Sequence, residues 1–361
     1  MSKILVYGAG PLGSLFAARL QQGGNDVSIL ARGQRLAELR EHGIELVDVM
    51  TGEQTVTPVN VVERLDPDDA YDLLLVIMRK NHALQILPAL AANHHTPNVL
   101  FLMNNAAGPG ALVKALGQER VLIGFPNSAG YREGHVVHCL TGTEDDKAPV
   151  LFGEVDGRIT DRTRQVARIL ESAPGFGAEI RTDMDTWLKY HVALLFPTLA
   201  PALKAAGVDN YRLARTRDLV VLALRAMREA FRVLRSLGLP VTPAKFKVIE
   251  WLPEPILVLL AQRLLSNPLM ETALVKHAEA ARSEVQHLIG EFMALARSTS
   301  VPTPTIDRLL RYYEPDAPEV PDGSAEIPLR WGGLLVTLGA LATLVSGGVL
   351  LVRWLCGAKR R

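Results

Sequence analysis

A lysine and a glutamate are the residues best placed to do chemistry. Lys189 lies in DMDTWLKYHVALLFPTL, residues 183–199, an otherwise apolar helical stretch. Two roles are open to it. It can pair with Asp185, four residues earlier, in the acid-then-base order that favours a helical ion pair. It can also be a cation aimed at a negatively charged transition state, made more effective by apolar surroundings. His191, two residues on, faces another side of the same helix. It reads as a core or interface histidine, with a substrate contact as the alternative. Glu284, in RSEVQ, shares a helical stripe with His277, Ala281 and Leu288, which sets it near the apolar face. A carboxylate there needs a partner, either a substrate hydroxyl or a buried cation.

A third set binds rather than reacts. YGAGPLGS holds Gly8, Gly10 and Gly13 in GxGxxG spacing, between the strand-like KILVYG and the helical LGSLFAARLQQGG. In that context the glycines permit a tight turn, close approach of a pyrophosphate, and close packing of helix on strand. The pyrophosphate then rests on the helix N-terminus, and Pro11 costs nothing in the first turn. At the end of the second strand, DVSIL, no acid is available for a ribose hydroxyl. Arg32 stands there, with Arg35 nearby, which predicts NADP(H) over NAD(H).

These residues need a frame. With 361 residues, 48% of them hydrophobic, the chain can build two cores. Up to about residue 182, short apolar runs alternate with helical patterns. DLLLVIM and NVLFLM are continuously apolar, as strands covered on both faces are. Residues 1–182 are therefore expected to form an α/β, doubly wound (Rossmann) NADP-binding domain. From 183 to 313 only helical periodicity remains, in DLVVLALRAMREAFRVLRSLG, EPILVLLAQRLLS and METALVKHAEAARSEVQHLIGEFMALARS. This is expected to be an all-helical substrate and catalytic domain. Residues 314–330, rich in proline and acid, read as an extended, flexible linker.

Residues 332–352 run without a charge between Trp331 and Trp354. That length and those flanks predict a single C-terminal transmembrane helix at 331–354, followed by a basic tail at 355–361. Gly339, Thr343 and Gly347 offer a small-residue face through which two copies could pair as a homodimer. No leader is read before the first strand, so the catalytic part is expected in the cytoplasm. The basic cluster Arg353, Lys359, Arg360 and Arg361 opposes that orientation.

Other classes lose support. A net charge of +1 names no nucleic-acid partner. Two distant cysteines make no disulfide framework. The histidines lack ligand spacing, so no metal is expected; His135 and His138 alternate across a strand.

Taken in order, the glycine turn, Arg32, LMNN after a later strand, TWLKYH, and AARSEVQHLIGEFMALARSTSVPTPTIDRL resemble the ketopantoate reductase family over residues 1–313. The resemblance implies a Rossmann domain, a helical domain, and NADPH-dependent reduction of a 2-oxo acid in the cleft between them. It implies 2-dehydropantoate 2-reductase-like activity, in pantothenate biosynthesis, on a small-molecule substrate. It implies Lys189 as the catalytic lysine and Glu284 as the active-site glutamate. Asn105 would lie near nicotinamide and substrate, and Arg79 would take the place of a basic residue at the end of the preceding strand. The sequence departs from the family where asparagines are common: Ala193 and Pro197 stand there. Ala106 replaces a glycine, Thr272 a substrate-binding serine, and Lys276 an aspartate. The expected function is an NADPH-dependent oxidoreductase of a 2-oxo acid or related carbonyl. The alternatives are a non-catalytic, membrane-anchored NADP(H)-binding regulator, or a reductase of another class such as imines.

Overall fold

The computed structural model describes residues 1–276, 282–314 and 316–331. Twelve strands lie in the first half of the described chain. They are β1 (Lys3–Tyr7), β2 (Asp26–Leu30), β3 (Ile44–Asp48), β4 (Gln54–Thr57), β5 (Asn60–Val62), β6 (Leu73–Val76), β7 (Val99–Leu102), β8 (Val121–Phe125), β9 (Ala129–Glu133), β10 (Val136–Leu140), β11 (Ala148–Glu154) and β12 (Phe176–Ile180). Eight form one sheet in the order β12-β11-β8-β7-β6-β1-β2-β5. Neighbours in it run parallel except β8 and β11. Apolar strands such as Leu73–Val76 and Val99–Leu102 are fully buried because each sheet face carries its own hydrophobic cluster.

The strand order reverses at β1, with β2 on one side and β6 on the other. At such a switch point the loops leave in opposite directions and open a crevice beyond the strand ends. Gly8 follows β1 there, and Arg79 follows β6.

A second, four-stranded sheet, β4-β3-β10-β9, was not expected. Its strands are short and partly exposed, so their apolar alternation is weak. It packs on the helix Pro11–Gln22 through β9 and β10. His135 faces Glu45 and stacks on His42, whereas His138 stacks on Tyr131.

Beyond β12 every described regular element is helical. The amphipathic helix Arg217–Ser236 is the axis of this half, and its buried face is nearly continuous from Asp218 to Leu234. Around it lie Met184–Leu194, Glu254–Leu265, Arg282–Arg297 and Pro304–Leu310, which share one large hydrophobic cluster. The long helix expected after Met270 is described as a π-helical segment, Glu271–Lys276, and the helix Arg282–Arg297.

The segment expected to be a loose linker is tied down. The carboxylate of Asp218 accepts hydrogen bonds from the backbone N–H of Glu326 (2.9 Å) and Ile327 (2.8 Å) and from the Ser324 hydroxyl. Arg215 pairs with Asp322 at 2.7 Å, and Arg212 with Glu319. Arg225 donates to the Pro328 carbonyl, while Glu254 accepts from the Arg330 N–H at 3.0 Å. Val320, Ile327 and Leu329 pack on the helical core. Two of the acids that suggested a solvated linker, Glu319 and Asp322, are thus neutralised by arginines more than a hundred residues upstream.

No described helix is long and apolar enough to cross a membrane. The helix expected at 331–354, its small-residue face and the basic tail lie outside the described residues from 332 onward.

Candidate active site

The dinucleotide cradle forms where β1 turns into the helix Pro11–Gln22. Gly8 has φ +127°, and a Cβ there would lie 2.4 Å from the Ile77 carbonyl oxygen. A Cβ at Gly13 would lie 1.7 Å from the Gly8 carbonyl oxygen. Both positions therefore exclude side chains, one to pass β6 and one to seat the helix. Gly10 differs, because its Cβ would meet nothing within 4 Å. It borders the large cleft, in the space a diphosphate would fill, and the unpaired N–H groups of the first helical turn are next to it. The residues fit a dinucleotide.

Arg32 lines this end of the cleft. It is exposed and, among the described residues, held only by Nε to the Glu63 carbonyl oxygen at 3.3 Å. Arg35 has another task. It is buried and donates to Ala9 O, Ser14 Oγ and His135 O, with Glu38 as its ion-pair partner at 3.2 Å. It clamps the glycine turn to the second sheet.

From the cradle the cleft runs into the helical half, enclosing about 1880 Å³. Successive residues leaving a strand point to opposite sides, and this sorts the polar groups into two layers. Arg79, Asn104 and Glu284 line the cleft. Lys80, Asn105 and Glu291 lie behind it. Glu284 is only 4% exposed. Burial pushes its carboxyl above the ordinary carboxylate range. A hydrogen bond from the Asn104 side chain, the charge of Arg79 and the Lys80 N–H oppose that rise. Asn104 Oδ1 has no partner among the described residues.

In the rear layer, Lys80 Nζ lies 2.5 Å from both Glu291 Oε1 and Asn105 Oδ1. Glu291 Oε2 accepts from the backbone N–H of Ala106 (3.0 Å) and Ala107 (3.1 Å). Burial pushes the Lys80 ammonium below its ordinary range, against the attraction of Glu291. Glu284 and Glu291 are seven residues, or about two turns, apart on one helix. One reaches the cleft, and the other holds the loop behind it. Sequence reasoning missed Glu291 and the role of Lys80; the seven-residue spacing was the only local signal.

Lys189 belongs with the rear layer. It is 8% exposed and pairs with Asp185. A Cβ on Gly108 would lie 3.3 Å from its Nζ and equally from Asp185 Oδ1. Neither Lys189 nor Asn105 lines the cleft, contrary to expectation. The physical reasons are local: the i,i+4 pair captures the ammonium, and the strand alternation that aims Asn104 forward turns Asn105 back. The helix Met184–Leu194 presents His191 to the cleft instead, stacked on Trp187 and 4.3 Å from the Phe125 ring centre. Thr272 falls in the segment Glu271–Lys276, next to cleft-lining Met270 and Leu274.

Ala193 and Pro197, where the family commonly has asparagines, are both buried. Pro197 lacks an N–H, so the helix widens into a π turn at Leu195–Leu199. The Thr198 hydroxyl donates to the carbonyl oxygen of Ala193 (3.4 Å), which Pro197 cannot serve, and to that of Leu194 (2.5 Å).

Comparison with known families accounts for both halves. The pattern described as Ketopantoate reductase PanE/ApbA matches residues 4–156, and its C-terminal counterpart matches residues 183–314. The chain belongs to the ketopantoate reductase family. A 2-dehydropantoate 2-reductase from Mesorhizobium japonicum is 25% identical over 339 residues, covering 85% of this chain and 95% of that one. One from Archaeoglobus fulgidus is 27% identical over 242 residues, covering 66% and 76%. The ketopantoate reductase fold recurs in the crystal structure of 2-dehydropantoate 2-reductase from Geobacter metallireducens, with TM-score 0.68, 21% identity, and 86% and 98% of the chains covered. D-mandelate dehydrogenase, solved with NADH and anilino(oxo)acetate, superposes with TM-score 0.70 at 18% identity, covering 86% and 97%.

Proposed function

We propose that the chain is an NADPH-dependent oxidoreductase that reduces a 2-oxo acid or related carbonyl to the hydroxy product. The observation that carries this reading is Glu284: a buried carboxyl, raised above its ordinary range, in a cleft continuous with the dinucleotide cradle. A bound nicotinamide supplies the hydride. Gly10 and the helix N-terminus hold the diphosphate, and Arg32 the 2′-phosphate. In its protonated form Glu284 donates its proton to the substrate oxygen as negative charge develops there. Arg79 sets a positive charge beside that group and neutralises the substrate carboxylate. Asn104 Oδ1 accepts a hydrogen bond from the hydroxy product. Lys189, paired with Asp185, acts as a positioning residue for the loop that carries Asn104.

The test is NADPH oxidation by the full chain with ketopantoate and a panel of other 2-oxo acids. Arg32→Ala is expected to raise KM for NADPH about 10–100-fold, the loss of one charge-assisted contact, and to leave that for NADH nearly unchanged. Equal effects on both cofactors would remove the assignment of NADPH. A second reading, a non-catalytic NADP(H)-binding regulator, is favoured by the placement of Lys189 outside the cleft. NADPH binding without turnover of any carbonyl substrate would select it.

The membrane anchor at residues 331–354, with pairing of two copies through it, is a separate proposal. It rests on the uncharged run after Trp331. The full chain is expected to float with liposomes; recovery wholly in the unbound fraction would end that proposal.

A further inference from the structure

One helix of the second half is apolar on both sides. Glu254–Leu265 buries Leu257, Val258 and Leu265 in the helical core. Its outward side carries Ile256, Leu259, Leu260 and Leu264, a stripe at helical spacing, with Arg263 as the exposed charge. The other two polar side chains of the helix are turned inward. Glu254 pairs with Arg225 at 2.7 Å, and the Gln262 amide donates to the Ala214 carbonyl oxygen at 2.9 Å. Leu259, Leu260 and Leu264 are each more than half exposed, and so are Trp251, just before the helix, and Trp331. The Arg330 N–H bonds to Glu254, which sets both tryptophans near the first turn.

Water is a poor neighbour for this face. The outward side of a surface helix is ordinarily polar, as in Arg217–Ser236, which exposes Arg232 and Arg235. The charges around the apolar stripe are of one sign. Between residues 244 and 268 the exposed charged side chains are Lys245, Lys247 and Arg263, while Glu250 is largely buried and pairs with Arg235. Two copies of the face brought together by a twofold axis would set these cations against each other. An anionic lipid surface suits both features. Acyl chains take the leucines, tryptophans belong at the headgroup level, and lysine and arginine meet the phosphates. The helix has 12 residues. That is about 18 Å, short of the ~30 Å hydrocarbon core, so it can lie along a bilayer surface and not cross it. The uncharged run of the sequence begins at residue 332, next to Trp331 at the start of this helix.

We propose that the outer face of Glu254–Leu265, with Trp251 and Trp331, lies in the interfacial layer of an anionic membrane. The inference rests on the membrane-anchor proposal above and deepens it by naming the side of the protein that meets the lipid. None of these residues lines the cleft, so variants of the face are expected to bind NADPH as the parent does.

The experiment mixes the full chain with vesicles of phosphatidylserine and phosphatidylcholine, the latter brominated near the top of its acyl chains. Bromine quenches indole rings that reach it, and the Trp251 share of the emission is the difference between a protein and its Trp251→Phe counterpart. Trp251 is expected to lose most of its emission in these vesicles, and less of it with phosphatidylcholine alone. In the double variant Leu259→Glu, Leu260→Glu, which should still float with the vesicles, Trp251 is expected to keep its emission. A parent that floats with Trp251 unquenched would overturn the face and leave the anchor standing. A parent recovered wholly in the unbound fraction would overturn both. Quenching unmoved by the two glutamates would remove this helix from the contact, and equal quenching without phosphatidylserine would remove the anionic lipid. A mass of two chains by light scattering without vesicles, lost in the double variant, would give the face to a second copy and overturn the lipid assignment.

Discussion

Glu284→Gln is expected to lower kcat by about 10²–10⁴-fold, the usual contribution of a positioned proton donor. Glutamine keeps the size and hydrogen-bonding reach of the side chain but has no proton to give. The pH dependence makes the test specific. Burial raises the carboxyl above its ordinary range, so the parent holds its proton at low pH and loses activity as pH rises through the raised value. The variant should lack that limb while binding NADPH normally. Stability follows the same sign. A folded-state pKa above the unfolded one adds stability that is complete below the unfolded pKa and fades as pH rises through the folded one. The parent should weaken toward alkaline pH in that window, and Glu284→Gln should not. Lys189→Ala should cost much less than Glu284→Gln in kcat, because its ammonium is engaged by Asp185 outside the cleft. Equal or greater loss in the lysine variant would return the proton-donor role to Lys189.

Glu291→Ala is expected to destabilise the protein by about 3–5 kcal/mol, the range for removing one partner of a buried ion pair. Lys80 is 3% exposed and would keep its charge without a counter-ion. The N–H groups of Ala106 and Ala107 would lose their acceptor as well. Glu291→Gln keeps an acceptor for those N–H groups and should cost less. The sign of the pH effect is opposite to that for Glu284. A lysine whose folded pKa is lowered binds fewer protons folded than unfolded, so stability rises with pH across that window. In Glu291→Ala the window widens, and the defect should shrink as alkaline pH discharges Lys80. Urea midpoints for parent and variants across pH measure this; a shift below about 1 kcal/mol would show that the rear layer carries little of the stability.

The parts legible in the sequence were those that local pattern controls. The glycine turn announced itself because GxGxxG stood between a strand and a helix. Glu284 was legible as a carboxylate on an apolar helical stripe, and the helices after residue 183 followed from their period. Long-range pairing was not legible. Lys80 and Glu291 meet across the two halves, and nothing near either residue in the chain names the other. The second sheet escaped notice because β3, β4 and β9 are short and partly exposed; only the strand through His138, β10, was read from its alternation. Lys189 was a contest between a local partner and a distant task, and the structure satisfies the local partner. At Asn104 and Asn105 the pair was visible, but which one faces the cleft depends on a one-residue register.

The bound segment 316–331 changes what the end of the described chain is mechanically. Composition suggests a swivel; the arginines and Asp218 make it a bracket. The Arg330 N–H is fastened to Glu254 at the start of the helix Glu254–Leu265, so the backbone up to Trp331 is held to the body of the protein. A fluorophore at residue 331 would tumble with the whole molecule, and a pull applied there would be carried by the helical core before it reached the cleft.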